Sequence, residues 1–150
     1  MSFTKLSLKG RALRYLAMRE HSRAELATKL AKHVEEGDDL NAVLDELEAK
    51  NFINAERVVE SVIHTKASRF GSTRVAQELR HKGVDAALIS EAVDRLRSTE
   101  QARAREIWLR RFGAPPQTPQ ERAKQMRFLA SRGFGGEVVR KVVAGGGDDG

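Results

Sequence analysis

Cysteine is absent from the 150 residues, which excludes disulfides and thiolate metal sites and points to a reducing compartment. Aromatic residues make up only 5% of the chain, with one Trp and one Tyr, while 32% is charged. Large side chains are too few to fill a thick core, so small units sharing thin interfaces fit better. No segment approaches eighteen consecutive apolar residues, and the N-terminal stretch MSFTKLSLKGRALRYLAMRE breaks each short apolar run with Lys or Arg. That excludes a transmembrane helix and a secretory leader, and predicts a soluble, cytoplasmic chain with no membrane partner. No strand-like alternation competes with helical periodicity.

What is present is a recurrence. Placed in phase, Leu30, Leu79 and Leu129 lie near the ends of basic amphipathic segments, and fourteen residues on come Leu44, Val93 and Val143. The later two copies join through Lys82-Gly83-Val84 and Arg132-Gly133-Phe134. A period of about fifty residues predicts a tandem array of helical modules rather than one closed core.

Punctuation gives helices near 5–20, 23–33, 40–50, 55–69, 73–82, 86–97, 99–111, 119–132 and 136–143. Ser22 with Glu25 reads as a capping box, and Ser98 with Gln101 and Thr118 with Glu121 repeat the device. Pro119 suits a first helical turn. Asp38 or Asp39, and Asn54, read as further N-caps. Gly71, Gly83, Gly113 and Gly133 follow periodic segments and read as left-handed stops. The expected fold is all-α: three three-helix modules, helix-turn-helix-like, at residues 1–53, 54–97 and 98–144, stacked into an elongated, curved body. The glycine-rich Gly145–Gly150 reads as a disordered tail. Expected core positions are Leu13, Leu16, Ala17, Leu26 and Leu30 in the first module, and Val58, Val62, Val75, Leu79, Ile89 and Val93 in the second. In the third they are Ile107, Trp108, Phe112, Met126, Leu129, Val139 and Val143.

Charge is uneven: the first fifty residues balance nine basic against nine acidic side chains, whereas the last fifty hold ten against five. Candidate contacts to a polyanion or an acidic protein are Arg69, Arg74, Arg80 and Lys82 in the middle module. Arg122, Lys124, Arg127, Arg132, Arg140 and Lys141 are those of the third. Catalytic patterns are missing. His21, His33, His64 and His81 form no i,i+3 or i,i+4 pair, and no GxxxxGK[ST] loop or GxSxG elbow occurs. The acidic run Glu35-Glu36-Gly37-Asp38-Asp39 misses the calcium-loop spacing. The reading is a binding protein without cofactor or metal, not an enzyme, and monomeric.

The stretches RALRYLAMREHSRAELATKL (Arg11 to Leu30), FGSTRVAQELRHKGV (Phe70 to Val84) and RFLASRGFGGEVV (Arg127 to Val139) resemble the three repeats of the RecX family, bacterial regulators of the RecA recombinase. The resemblance covers nearly the whole chain, in order. It implies that the chain binds the RecA filament on DNA and inhibits its ATP hydrolysis and strand exchange. The basic residues above would then meet RecA or, weakly and without sequence preference, single- and double-stranded DNA. One departure is local: after the Leu47 helix the family commonly shows an acidic pair and then an aromatic after Arg, where this chain has Asn51-Phe52-Ile53-Asn54-Ala55-Glu56-Arg57-Val58. A helix-turn-helix repressor is the rival reading of Ser22 to Leu47, opposed by the long acidic turn from Val34 to Asp39. A protein-only adaptor is a third.

Overall fold

The computed structural model describes residues 5–145, and the expected tail lies outside them apart from Gly145, which closes the last turn. Among the described residues there are nine α-helices and no strand: α1 (Leu8–Met18), α2 (Arg23–Leu30), α3 (Leu40–Ala49), α4 (Ala55–Lys66), α5 (Ser72–His81), α6 (Ala86–Arg97), α7 (Glu100–Arg111), α8 (Pro119–Ser131) and α9 (Gly136–Val143). A 3-10 turn, Ala31–His33, extends α2.

Local chemistry sets most boundaries. The Ser22 hydroxyl accepts from the Glu25 N–H while the Glu25 carboxylate accepts from the Ser22 N–H, a complete capping box. Asp39, Asn54 and Thr118 accept from the third N–H of their helices. Glu121 reaches past Thr118 to the Gln117 N–H, at 2.6 Å. Ser98 does not cap α7: its hydroxyl turns back to the Arg95 carbonyl, and Thr99 takes the cap position without a side-chain bond. Gly83, Gly113 and Gly133 are left-handed, at φ +77°, +70° and +93°. Gly71 is not a stop. Its φ is −80° and it begins α5. In the first module Gly37, at φ 90° between α2 and α3, and Asn51, at φ 66° after α3, are left-handed.

Three separate clusters form the interior. Leu8, Ala12, Leu26, Leu30, Leu44, Leu47 and Ile53 make the first. Val58, Val62, Val75, Leu79, Ile89, Ala92 and Leu96 belong to the second. Ala104, Ile107, Trp108, Leu129, Phe134, Val139, Val142 and Val143 make the third, where the Trp108 indole N–H donates to Gln125 Oε1 at 2.8 Å. Some expectations shift, and in the third cluster Phe112 and Met126 are half-buried against the core. Ala17 is exposed and Leu13 and Leu16 are half-buried, because α1 turns Leu8 and Ala12 inward. Val93 is half-buried as well, while Ala92 and Leu96 take the buried face of α6. Counted along their helices, Val93 and Val143 are each eighth and so is Leu47, whereas Leu44 is fifth. The longer α2–α3 connection has slipped the first module's phase.

The units meet through helix ends. At the first junction the Ser22 hydroxyl, at the start of α2, donates to the Lys82 carbonyl at the end of α5, 2.5 Å away. At the second, the Gly71 and Thr73 N–H groups at the start of α5 donate to the Arg132 and Gly133 carbonyls at the end of α8, at 2.7 and 3.3 Å. The middle helices thus run head to tail, α8 into α5 into α2, positive end against negative end. Because α5 touches α2 at one end and α8 at the other, the units lie in an elongated row.

Candidate functional site

The two junctions use charge differently. At the first, Lys82 Nζ lies 3.0 Å from Glu25, with both side chains only 15% exposed. Burial alone would raise the Glu25 carboxyl, but hydrogen bonds from Arg19, the Ser22 N–H and Lys82 outweigh it and bring its pKa down to about 2. Lys82 is therefore part of the framework and not a free cation. Beside it, His21 is buried and neutral. Its Nδ1 faces the Arg19 carbonyl at 3.0 Å and its Nε2 takes the Lys29 ammonium at 2.8 Å, so Nδ1 carries the proton. Burial, ahead of the neighbouring Arg19 and Lys29, lowers its pKa.

At the second junction Glu100, 6% exposed, accepts from the Ser72 N–H and hydroxyl at 2.5 and 2.7 Å. Arg103 staples the third unit to the second: its guanidinium donates to the carbonyls of Ala67 and Phe70, both at 2.8 Å, and of Leu96 at 3.2 Å. The Ala67 and Leu96 carbonyls lie at the ends of α4 and α6, where orphan acceptors accumulate and a cation is favoured, and that of Phe70 lies in the turn after α4. Burial lowers the Arg103 pKa, against the opposing pull of Glu100.

On the outer side of that junction cations outnumber their counter-ions. Phe70 is ringed by Arg74, Arg69, Arg132 and Lys66, at 4.5, 5.3, 5.5 and 5.8 Å from its centre. Arg132 lies also 5.1 Å from the Phe128 ring, whose other cation, Arg111, is 4.9 Å away. A groove of about 370 Å³ opens here, lined by Arg69, Ile107, Arg110, Arg111, Phe128 and Arg132. Among the described residues none of its arginines has a carboxylate within 4.0 Å; the nearest acidic contact is Glu78 on Lys66, at 3.9 Å.

The structure thus brings Arg69, Arg74 and Arg132 together from two units and leaves the other candidates elsewhere. Arg80 lines a separate groove with Arg97 and Asp94. Arg122, Lys124 and Arg127 are exposed on α8 and Arg140 on α9, while Lys141 pairs with Glu137 at 3.2 Å. Sequence reading missed Arg110 and Arg111, which close α7, and the two phenylalanines that organise the cluster. The periodic signal was there, since Phe70 and Phe128 both stand beside Arg-rich helix ends, but their meeting depends on the inter-unit contact. No group of His, Asp or Glu able to hold a metal occurs among the described residues, and none of their helices is long and apolar enough to cross a membrane.

These features define a class: a tandem helical-repeat protein with an exposed cationic cluster at the junction of two repeats. Models of the first, second and third three-helix domains of RecX match residues 9–47, 55–93 and 98–143 in order. The chain belongs to the RecX family. It is 56% identical over 138 residues to the regulatory protein RecX of Leptothrix cholodnii, covering 92% of this chain and 88% of that one. It is 49% identical over 140 residues to that of Ralstonia nicotianae, covering 93% and 88%. Its fold matches the crystal structure of RecX from Lactobacillus salivarius with a TM-score of 0.72 at 20% identity, covering 93% of this chain and 94% of that one. A second crystal structure of a regulatory protein RecX gives 0.76, covering 90% and 70%.

Proposed function

We propose that this chain regulates the RecA recombinase, binding the RecA filament on DNA and suppressing its ATP hydrolysis and strand exchange. The observation that carries the reading is the ordered match of all three RecX domains along one chain. The architecture supports it: a row of units joined end to end offers a long surface to an extended partner. In this reading the units span 1–53, 54–97 and 98–144, act in the cytoplasm as a monomer and catalyse no reaction. The exposed cations Arg80, Arg122, Lys124, Arg127, Arg140 and Lys141 meet acidic RecA surface, which gives fast, salt-sensitive association.

The repressor reading loses support from α3. As third helix of the first unit it would enter the major groove, yet Leu40–Ala49 contains Asp45, Glu46 and Glu48 and no basic residue. Sedimentation of RecA filaments on single-stranded DNA tests the proposal directly. Saturable co-sedimentation of this chain supports it; a chain left in the supernatant at moderate salt sinks it.

A further inference from the structure

We infer that the arginine–phenylalanine groove between the second and third units is a nucleic-acid phosphate-backbone site, a deepening that rests on the filament reading above. Four features carry it. Arg69, Arg110, Arg111 and Arg132 line one concavity, and no carboxylate among the described residues comes within 4.0 Å of any of them. Like charges held this close repel, so the groove favours an anion able to neutralise several of them.

The donors are guanidiniums, whose planar forks match phosphate oxygens bidentately, and Arg69, Arg111 and Arg132 are pre-set by their stacking on Phe70 and Phe128. The rings are thereby engaged by cations, which leaves bases little stacking surface, and no side chain lining the groove is a hydrogen-bond acceptor for base-edge readout. The ligand class is therefore the sugar-phosphate backbone, bound without sequence preference. An acidic protein segment is less well matched, because the only apolar lining besides the occupied Phe128 is Ile107, 6% exposed, which offers little to a side chain.

The cluster also spans the junction. Arg69 and Phe70 come from the second unit, Arg110, Arg111, Phe128 and Arg132 from the third, and Arg132 contacts both rings. A backbone seated there cross-links the two units and stiffens the Gly71–Arg132 contact beneath it.

The test is fluorescence anisotropy of a short labelled oligothymidylate with the full chain, titrated at several salt concentrations and without RecA, so that failure here is separable from failure of filament binding. Arg69 and Arg111 are exposed, and R69A/R111A removes two contacts. The expected result is at least a tenfold loss of affinity, with the slope of log affinity against log salt shallower by about 1.4, at about 0.7 per single-strand contact. R69K/R111K should keep the slope and lose part of the affinity, since lysine retains charge without the fork. K5A/K50A removes two exposed charges of the first unit and should change neither. Two results overturn the inference: an unchanged slope in R69A/R111A, or an equal loss in K5A/K50A, which would mean diffuse attraction. Intact oligonucleotide binding by R69A/R111A with lost binding to RecA would reassign the groove to an acidic protein surface, and overturns it too.

Discussion

The backbone N–H of Gly71 donates to the carbonyl of Arg132 at 2.7 Å, joining the start of one helix to the end of another sixty-one residues along the chain. A Cβ on Gly71 would strike the Gly133 carbonyl, and one on Gly133 would stand 2.5 Å from Arg74 Cβ and 2.7 Å from its nitrogen. Gly83, whose added Cβ would come 2.8 Å from Ala24 Cβ, repeats the arrangement at the other junction. Gly133 and Gly83 thus answer two demands, a left-handed backbone and the close approach of a neighbouring helix.

Gly133→Ala should therefore cost more than conformational strain. Gly37 is the control, since its φ of +90° is similar but nothing lies within 4 Å of an added Cβ. Left-handed strain alone costs about 1–2 kcal/mol, so urea denaturation should show Gly37→Ala losing about that much. Gly133→Ala should lose about 3 kcal/mol or more, the excess coming from forced separation at the junction. Equal losses would mean that the close approach carries no energy.

Arg103→Ala should loosen the same junction from its other side. It leaves the carbonyls of Ala67, Phe70 and Leu96 without their charged donor. Hydrogen bonds to a charged group are worth about 1.5–3 kcal/mol, so a loss of about 3 kcal/mol is expected. Hydrogen exchange should show the ends of α4 and α6 opening first. Arg103→Lys, a single point donor, should recover only part of the loss.

The first junction should respond to mild acid. With its pKa held down by burial, His21 binds fewer protons folded than unfolded, so its contribution is complete above its ordinary pKa and falls away as pH drops below it. Protonation would also set a cation against Lys29. Melting temperature should fall between about pH 7 and pH 5.5, and His21→Gln should flatten that dependence. The half-buried His33 shifts the same way, from burial and then Arg11, so the comparison between variants isolates His21. Glu25, with a pKa of about 2, stays ionised in this window and loses its contribution only as pH falls below about 4.5.

Much of this architecture was legible because it is locally encoded. Ser22 with Glu25, Thr118 with Pro119, and the glycines at 83, 113 and 133 each fix a helix end within a few residues. Gly71 was misread for the opposite reason. A glycine after a periodic segment suits a stop or a start equally, and here the Arg132 and Gly133 carbonyls decide. Lys82 read as a surface cation in a basic stretch, yet its partner Glu25 lies 57 residues away. Ser98 met the capping pattern by type while its hydroxyl had a nearer acceptor in Arg95. The cationic groove was half legible: Arg69, Arg74 and Arg132 stood out by charge, but their convergence on Phe70 and the addition of Arg110 and Arg111 depend on how two units dock.

Lys124→Glu with Arg127→Glu should weaken RecA regulation without unfolding the chain. The two side chains are exposed and lie three residues apart on one face of α8. Reversing both should cost about tenfold in potency, mainly through slower association at low salt, with an unchanged thermal melt. Arg132 is not suited to this test, because its contacts with Phe70 and Phe128 tie it to the junction.

The most direct measurement is single-strand-DNA-dependent ATP hydrolysis by the cognate RecA, with this chain titrated from substoichiometric to equimolar ratios. The account predicts dose-dependent suppression, complete by about equimolar chain, and reduced potency for Lys124→Glu with Arg127→Glu. Unchanged hydrolysis at every ratio, from a folded chain, would contradict it.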